Sequence, residues 1–193
     1  MRAACLPLVV ATILGSSAWL LPRDAFAKCP ERDPADPVCE QVVSLLMPSV
    51  AGAAYFPNNS PGPFFGGGVE FALLSWATNS DAFGPSHGRL RATFTYLAGP
   101  DSRRLALYRF GAIVSFEGNA SRRFLIPYFG GAIGGLWHSD FGGHATADAS
   151  LGMYIVNTRS FILDLEGGYV MPFTDVDALI GLRTQLTAAF ALW

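Results

Sequence analysis

Residues 145–171 read ATADASLGMYIVNTRSFILDLEGGYVM and carry the clearest strand pattern of the chain. In its second half Phe161, Leu163, Leu165, Tyr169 and Met171 fall on one parity, while Asp164 and Glu166 fall on the other. Such alternation marks a strand, because successive side chains point to opposite faces. In the first half Ala145, Ala147, Ala149, Leu151, Met153 and Ile155 oppose Thr146, Asp148, Ser150 and Tyr154. Between the halves, Asn157-Thr158-Arg159-Ser160 reads as a tight turn. Both strands therefore carry one apolar face and one polar face. A soluble sandwich would turn the apolar face inward, whereas a membrane barrel turns it towards lipid and its carboxylates towards the lumen.

Composition favours the barrel. Of the 193 residues 51% are apolar and only 15% charged, with 21 glycines and 15 phenylalanines, against about 25% charged in an ordinary soluble domain. Past the N-terminus no run reaches the roughly 20 unbroken apolar residues that a membrane helix needs, because Pro127 and many glycines interrupt them. The hydrophobicity is spread through alternating strands. A net charge of −2 points to no nucleic acid and no strongly charged partner.

The N-terminus has the form of a secretory signal: Arg2, an apolar stretch from Ala3 to Leu21, and Ala25-Phe26-Ala27 before Lys28. The chain is thus expected to divide into a signal peptide over 1–27, a polar periplasmic leader over 28–47 and an outer-membrane β-barrel over 48–193. Within the leader, prolines and charges at Pro30 to Pro37 give way to a stretch long enough for a short helix from Cys39 to Met47. Cys29 and Cys39 permit one intramolecular disulfide in an oxidising compartment, with free thiols or intermolecular pairing as the alternatives.

Further strands follow in order. Val50 to Phe56 is the weakest. Phe64 to Trp76 alternates Val69, Phe71 and Leu73 with Glu70, Ala72 and Leu74; His87 to Leu97 places Arg89, Arg91, Thr93 and Thr95 on one face. Leu105 to Glu117 sets Tyr108, Phe110, Ala112, Val114 and Phe116 against Arg109, Gly111, Ser115 and Glu117. Phe124 to Trp137 carries Phe124, Ile126, Tyr128 and Leu136 on one parity, with glycine on both, and Trp137 to His144 reads as a loop. In the last strand, Leu179 to Leu192, residues Ile180, Leu182, Leu186, Ala188, Phe190 and Leu192 oppose Arg183, Gln185 and Thr187. The glycine runs 66–68 and 130–135 are no nucleotide loops, since alternation continues around them and no helix opens there. The fold class expected is all-β, an eight-stranded antiparallel up-and-down transmembrane β-barrel.

The exported start, the strand opening Pro127-Tyr128-Phe129-Gly130-Gly131-Ala132, the polar-in and aromatic-out hairpins and the C-terminal aromatic Trp193 together resemble the small eight-stranded outer-membrane barrel proteins of Gram-negative bacteria. The resemblance covers about Pro48 to Trp193. It implies location in the outer membrane, outer-membrane lipid as surroundings and the barrel-assembly machinery as a partner in biogenesis. The family sets its terminal aromatic in register with outward residues; here Trp193 shares the parity of Arg183 and Gln185, and Leu192 lies on the outward one.

With apolar parity towards lipid, Arg89, Arg91, Arg109 and Arg183 point inward with Glu70, Glu117, Asp148, Asp164 and Glu166. A barrel of eight strands is just wide enough for side chains to fill, so these charges are expected to pair and plug the lumen. Some small outer-membrane barrels are lipid A deacylases or acyltransferases that use His with Ser and a carboxylate. The deacylases show His and Ser two apart, a spacing this sequence lacks. In His138-Ser139-Asp140, adjacent residues on a strand would face opposite sides. The expectation is a non-enzymatic barrel with no catalytic residues, no cofactor and no metal. A lipid A-modifying enzyme and an exported soluble barrel binding a small apolar ligand are the alternatives.

Overall fold

The computed structural model describes residues 42–43, 47–59, 62–80, 84–117, 122–158, 161–174 and 177–190; side chains at 42, 43, 47, 77–80, 84 and 85 are not described. The expected signal, Cys29 and Cys39, and Leu192 with Trp193 lie outside the described residues. A two-residue strand β1 (Val42–Val43) precedes β2 (Met47–Pro57), β3 (Phe64–Ser80), β4 (Gly84–Ala98), β5 (Arg104–Phe116), β6 (Phe124–His138), β7 (Gly142–Asn157), β8 (Phe161–Pro172) and β9 (Gly181–Phe190). Short 3₁₀ turns occupy Pro100–Ser102 and Asp177–Leu179.

From β2 to β9 each strand pairs antiparallel with the next, and β2 also pairs with β9 from Ser49↔Ala189 to Pro57↔Gly181. The sheet is a closed, eight-stranded, up-and-down antiparallel barrel. Closure leaves β2 to β9 without an unpaired edge strand. The stretch expected to be weakest, Val50 to Phe56, is the seam, and grows to 11 residues because it is paired on both sides.

Several local expectations fail, each for a physical reason. Instead of the helix expected over Cys39 to Met47, Val42 and Val43 extend along β3 opposite Trp76 and Ser75. There β3 runs on past the start of β2, and its free backbone groups accept a β-branched pair. The loop expected from Trp137 to His144 shrinks to 139–141, since β6 and β7 stay paired to His138↔Gly142. A bulge between Ala72 and Leu74 shifts the register of β3. Leu74 therefore joins Leu90 on the outer face, and Ser75 turns inward beside Arg89. Trp76 lies outside against Gly88, where a Cβ would meet its ring at 1.9 Å. On β6 the apolar parity faces inward from Ile126 onward: Ile126, Tyr128 and Leu136 are buried, while Phe124 on the same parity is exposed, as are Phe129, Ile133 and Trp137.

That reversal on β6 follows from how the interior is filled. Towards the end bearing the 3₁₀ turns, Tyr55, Phe64, Leu97, Leu105, Leu107, Leu136, Val170 and Leu179 form an apolar cap. The Tyr55 hydroxyl donates to the Leu179 carbonyl. Towards the other end, where β2 begins and β9 ends, Ala72, Ile113, Ile126, Tyr128, Tyr154 and Ile162 form a second cap. Each fully buried Leu or Ile contributes about 1.5–3 kcal/mol. The charged tier lies between the caps, so the barrel has a hydrophobic closure above and below its ions.

Candidate functional site

Glu166 is the hub of the charged tier. It stands on β8, followed by Gly167 and Gly168, and its side chain is fully buried. Arg183 Nη2 donates to its Oε1 at 2.5 Å and Arg109 Nη1 to the same oxygen at 3.4 Å. Arg91 Nη2 and, at 3.1 Å, the Tyr128 hydroxyl donate to Oε2. An ionised carboxylate offers about four acceptor sites. Glu166 fills them from four strands.

The remaining members extend this hub around the wall. Arg183 grips Asp148 in a fork, Nε to Oδ2 at 3.0 Å and Nη2 to Oδ1 at 3.1 Å. Arg109 Nη1 lies 3.9 Å from Asp148 Oδ2. Arg91 Nη1 reaches Glu70 Oε2 at 3.4 Å, and the Thr93 hydroxyl donates to the same oxygen at 3.2 Å. Gln185 accepts from Arg109 Nη2 at 2.6 Å and donates through Nε2 to Glu70 at 3.3 Å. Asp164 joins through Tyr128, whose hydroxyl is 3.2 Å from Oδ1. Among the described residues, Arg109 Nε and Arg183 Nη1 have no hydrogen-bond partner. Gly168 makes room for the fork, because a Cβ there would stand 2.5 Å from Arg183 Nη2.

The structure thus brings together Glu70, Arg91, Arg109, Asp148, Asp164, Glu166 and Arg183, and sets Arg89 and Glu117 apart. Glu117 follows β5 and meets His87, with Nδ1 to Oε1 at 2.6 Å. Arg89 lies over the Tyr154 ring, its guanidinium carbon 5.2 Å from the centroid. Both belong to the end of the barrel where β2 begins. Three members were not singled out from sequence: Thr93, Tyr128 and Gln185. Thr93 and Gln185 share the parity of Arg91 and Arg183, which was the available signal. Tyr128 sits among apolar residues and gives none, since its ring suits the cap and only its hydroxyl serves the charges.

His138 and His144, unlike His87, contact no carboxylate oxygen among the described residues. His138 Nδ1 accepts the Asp140 N–H at 3.1 Å, and its ring is packed between Phe64 and Phe141. Ser139 donates to Asp140 at 3.1 Å and accepts the Arg104 N–H at 3.3 Å, so it addresses neither nitrogen of His138. His144 contacts the Thr174 hydroxyl and the Phe141 carbonyl. Among the described residues no group of three metal-ligating side chains converges.

No family model and no curated protein matches the chain. Among solved structures it is similar to the crystal structure of the outer membrane enzyme PagL, with 14% identity and a TM-score of 0.44 over 75% of this chain and 99% of that one. It is also similar to the solution NMR structure of the de novo designed TMB2.3, with 16% identity and a TM-score of 0.38 over 76% and 94% of the two chains. The barrel assignment rests on the strand pairing itself, and neither likeness gives a residue of this chain a role.

Proposed function

We propose that the protein is a non-enzymatic outer-membrane barrel whose lumen is filled by its own side chains, with a structural or surface-interaction role in the cell envelope. The observation that carries this reading is the filled interior: a carboxylate with its acceptor sites taken, ringed by guanidinium groups and closed by apolar residues on both sides. A conduit needs mobile water and accessible charge, and this tier offers neither. The exterior supplies the membrane part. Leu151 is 71% exposed and Ile133 65%, and Phe65, Phe94, Phe110, Leu186 and Phe190 are exposed with them. An aqueous protein rarely presents so continuous an apolar surface, whereas lipid is its natural solvent. The same outward direction turns the apolar parity of most strands away from the lumen, which counts against the soluble ligand-binding alternative.

Outer-membrane lipid is then the medium of the folded chain, and the barrel-assembly machinery its partner during biogenesis. The test is to express the full chain in a Gram-negative host, fractionate the envelope and run the protein on a gel with and without boiling. Recovery in the outer membrane with a heat-dependent shift in migration is expected, together with silence in planar-bilayer conductance. Recovery in the soluble periplasm, or a steady open conductance, overturns the reading. Removal of an acyl chain from lipid A on expression would favour the enzymatic alternative instead.

A further inference from the structure

We propose that the end of the lumen where β2 begins is a binding site for a small oxyanion, a carboxylate or a phosphate monoester, held on Arg89, Asn157 and Ser75. A cavity of about 230 Å³ opens there, lined from β3, β4 and β7 and from the segment following β5. It is many times the room that one water requires. The bulge in β3 turns Ser75 into it, opposite Arg89 in the ladder.

Arg89 differs from the other inward arginines. Arg91, Arg109 and Arg183 each lie within 4.0 Å of a carboxylate. Among the described residues Arg89 has no carboxylate at that distance, and its guanidinium rests on the face of Tyr154. A cation over an aromatic face is held by the ring's quadrupole, an attraction that uses none of its N–H donors. The guanidinium N–H edge matches the paired oxygens of a carboxylate or phosphate. The side chains of Asn157 and Ser75 also line the cavity and have no hydrogen-bond partner among the described residues. Arg123 also belongs to the lining, with its Nη1 donating to the Arg122 carbonyl at 3.2 Å.

Glu117 is the carboxylate on this lining, and it would repel an anion if it faced the cavity centre. It is instead directed to His87 Nδ1 at 2.6 Å, its side chain only 4% exposed, while the His87 side chain is 48% exposed at the rim. Arg89, Asn157 and Ser75 thus line a cavity whose own carboxylate, Glu117, is already engaged, while Glu70 and Asp164 share a separate, much smaller cavity with Arg89. It does not depend on where in the cell the barrel resides.

The test uses the full folded chain in detergent micelles, labelled so that arginine Nε–H signals are resolved by NMR, and titrated separately with inorganic phosphate and with acetate. A saturable shift of the Arg89 signal is expected with at least one of them. Phosphate alone would identify a phosphate ester as the ligand class, acetate alone a carboxylate, and both the shared oxyanion chemistry. Arg89→Gln should abolish saturable binding, read from the remaining signals around the cavity, and Asn157→Ala should weaken it about two- to tenfold, as expected for one lost hydrogen bond. Arg104→Gln, at the opposite end of the barrel, should leave it unchanged. The proposal is overturned by the absence of a saturable shift with either anion, by binding that survives Arg89→Gln undiminished, or by equal loss in Arg104→Gln.

Discussion

Arg91 and Arg89 stand two residues apart on the same face of β4, yet they occupy opposite chemical situations. Arg91 is buried against Glu166 and Glu70. Arg89, one step nearer the barrel end, lies on an aromatic ring beside a cavity. In the first region nearly every donor has an acceptor within the protein, and the charges make the interior a solid plug. In the second, Glu117 and His87 engage one another, while the side chains of Arg89, Asn157 and Ser75 have no hydrogen-bond partner among the described residues. Lumen charge is therefore no single property: the same residue type on the same strand face is locked among carboxylates in one tier and borders a cavity in the next.

The sharpest way to break this contrast is Glu166→Ala. It would leave three guanidinium groups without their common acceptor in a dry interior, and removing one partner of a buried pair costs about 3–5 kcal/mol. Urea unfolding of protein refolded into lipid vesicles should show the loss; an unchanged midpoint would mean that the tier is hydrated. Next in size is Leu151→Arg on the exterior. In a membrane it should cost about 2–4 kcal/mol near the midplane, whereas on an aqueous surface it would be close to neutral. The same assay therefore separates the two environments. Gly168→Ala should destabilise by about 1–3 kcal/mol through overpacking, since the new methyl would press on Arg183; retention of wild-type stability would show that the fork to Asp148 can shift without loss. Arg89→Gln should be the mildest, within about 1 kcal/mol, the usual scale of an exposed cation–π contact. A large loss there would place Arg89 within the plug after all.

The sequence showed the two-faced character of β7, β8 and β9 plainly, because all their charged residues, Asp148, Asp164, Glu166 and Arg183, and the amide of Gln185 fall on the inward parity of their strands. It hid the reversal on β6. Ile126, Tyr128 and Leu136 are apolar yet internal, since a lumen that ends in hydrophobic caps makes polarity a poor guide to direction near its ends. The bulge at Ala72 was also invisible: it arises from the pairing of β3 with β4, and no residue type announces it. Once that register shifts, Leu74 and Ser75 exchange faces, and the vestibule gains a hydroxyl that simple alternation had placed outside. The separation of Arg89 and Glu117 from the plug was hidden for a different reason. Parity gives the face of a strand but not the height along it, and height decides which charges meet.

The seam between β2 and β9 has one more consequence, for the order of assembly. Arg183 and Glu166 are only 17 residues apart, whereas Arg91 and Glu166 are separated by 75 and Gln185 and Glu70 by 115. Local hairpins form before distant contacts, so the sheet first exists as an open ribbon with its ion pairs unevenly made. One flank of that ribbon carries Asp148, Asp164 and Glu166 against Arg183; the other carries Arg89, Arg91 and Arg109 against Glu70 and Glu117. The flanks are oppositely charged and draw one another inward, which gives the ribbon a sense of curl before any seam hydrogen bond forms. Salt screens such attraction, so refolding into uncharged vesicles should slow as ionic strength rises, and a rate indifferent to salt would leave closure to the backbone alone.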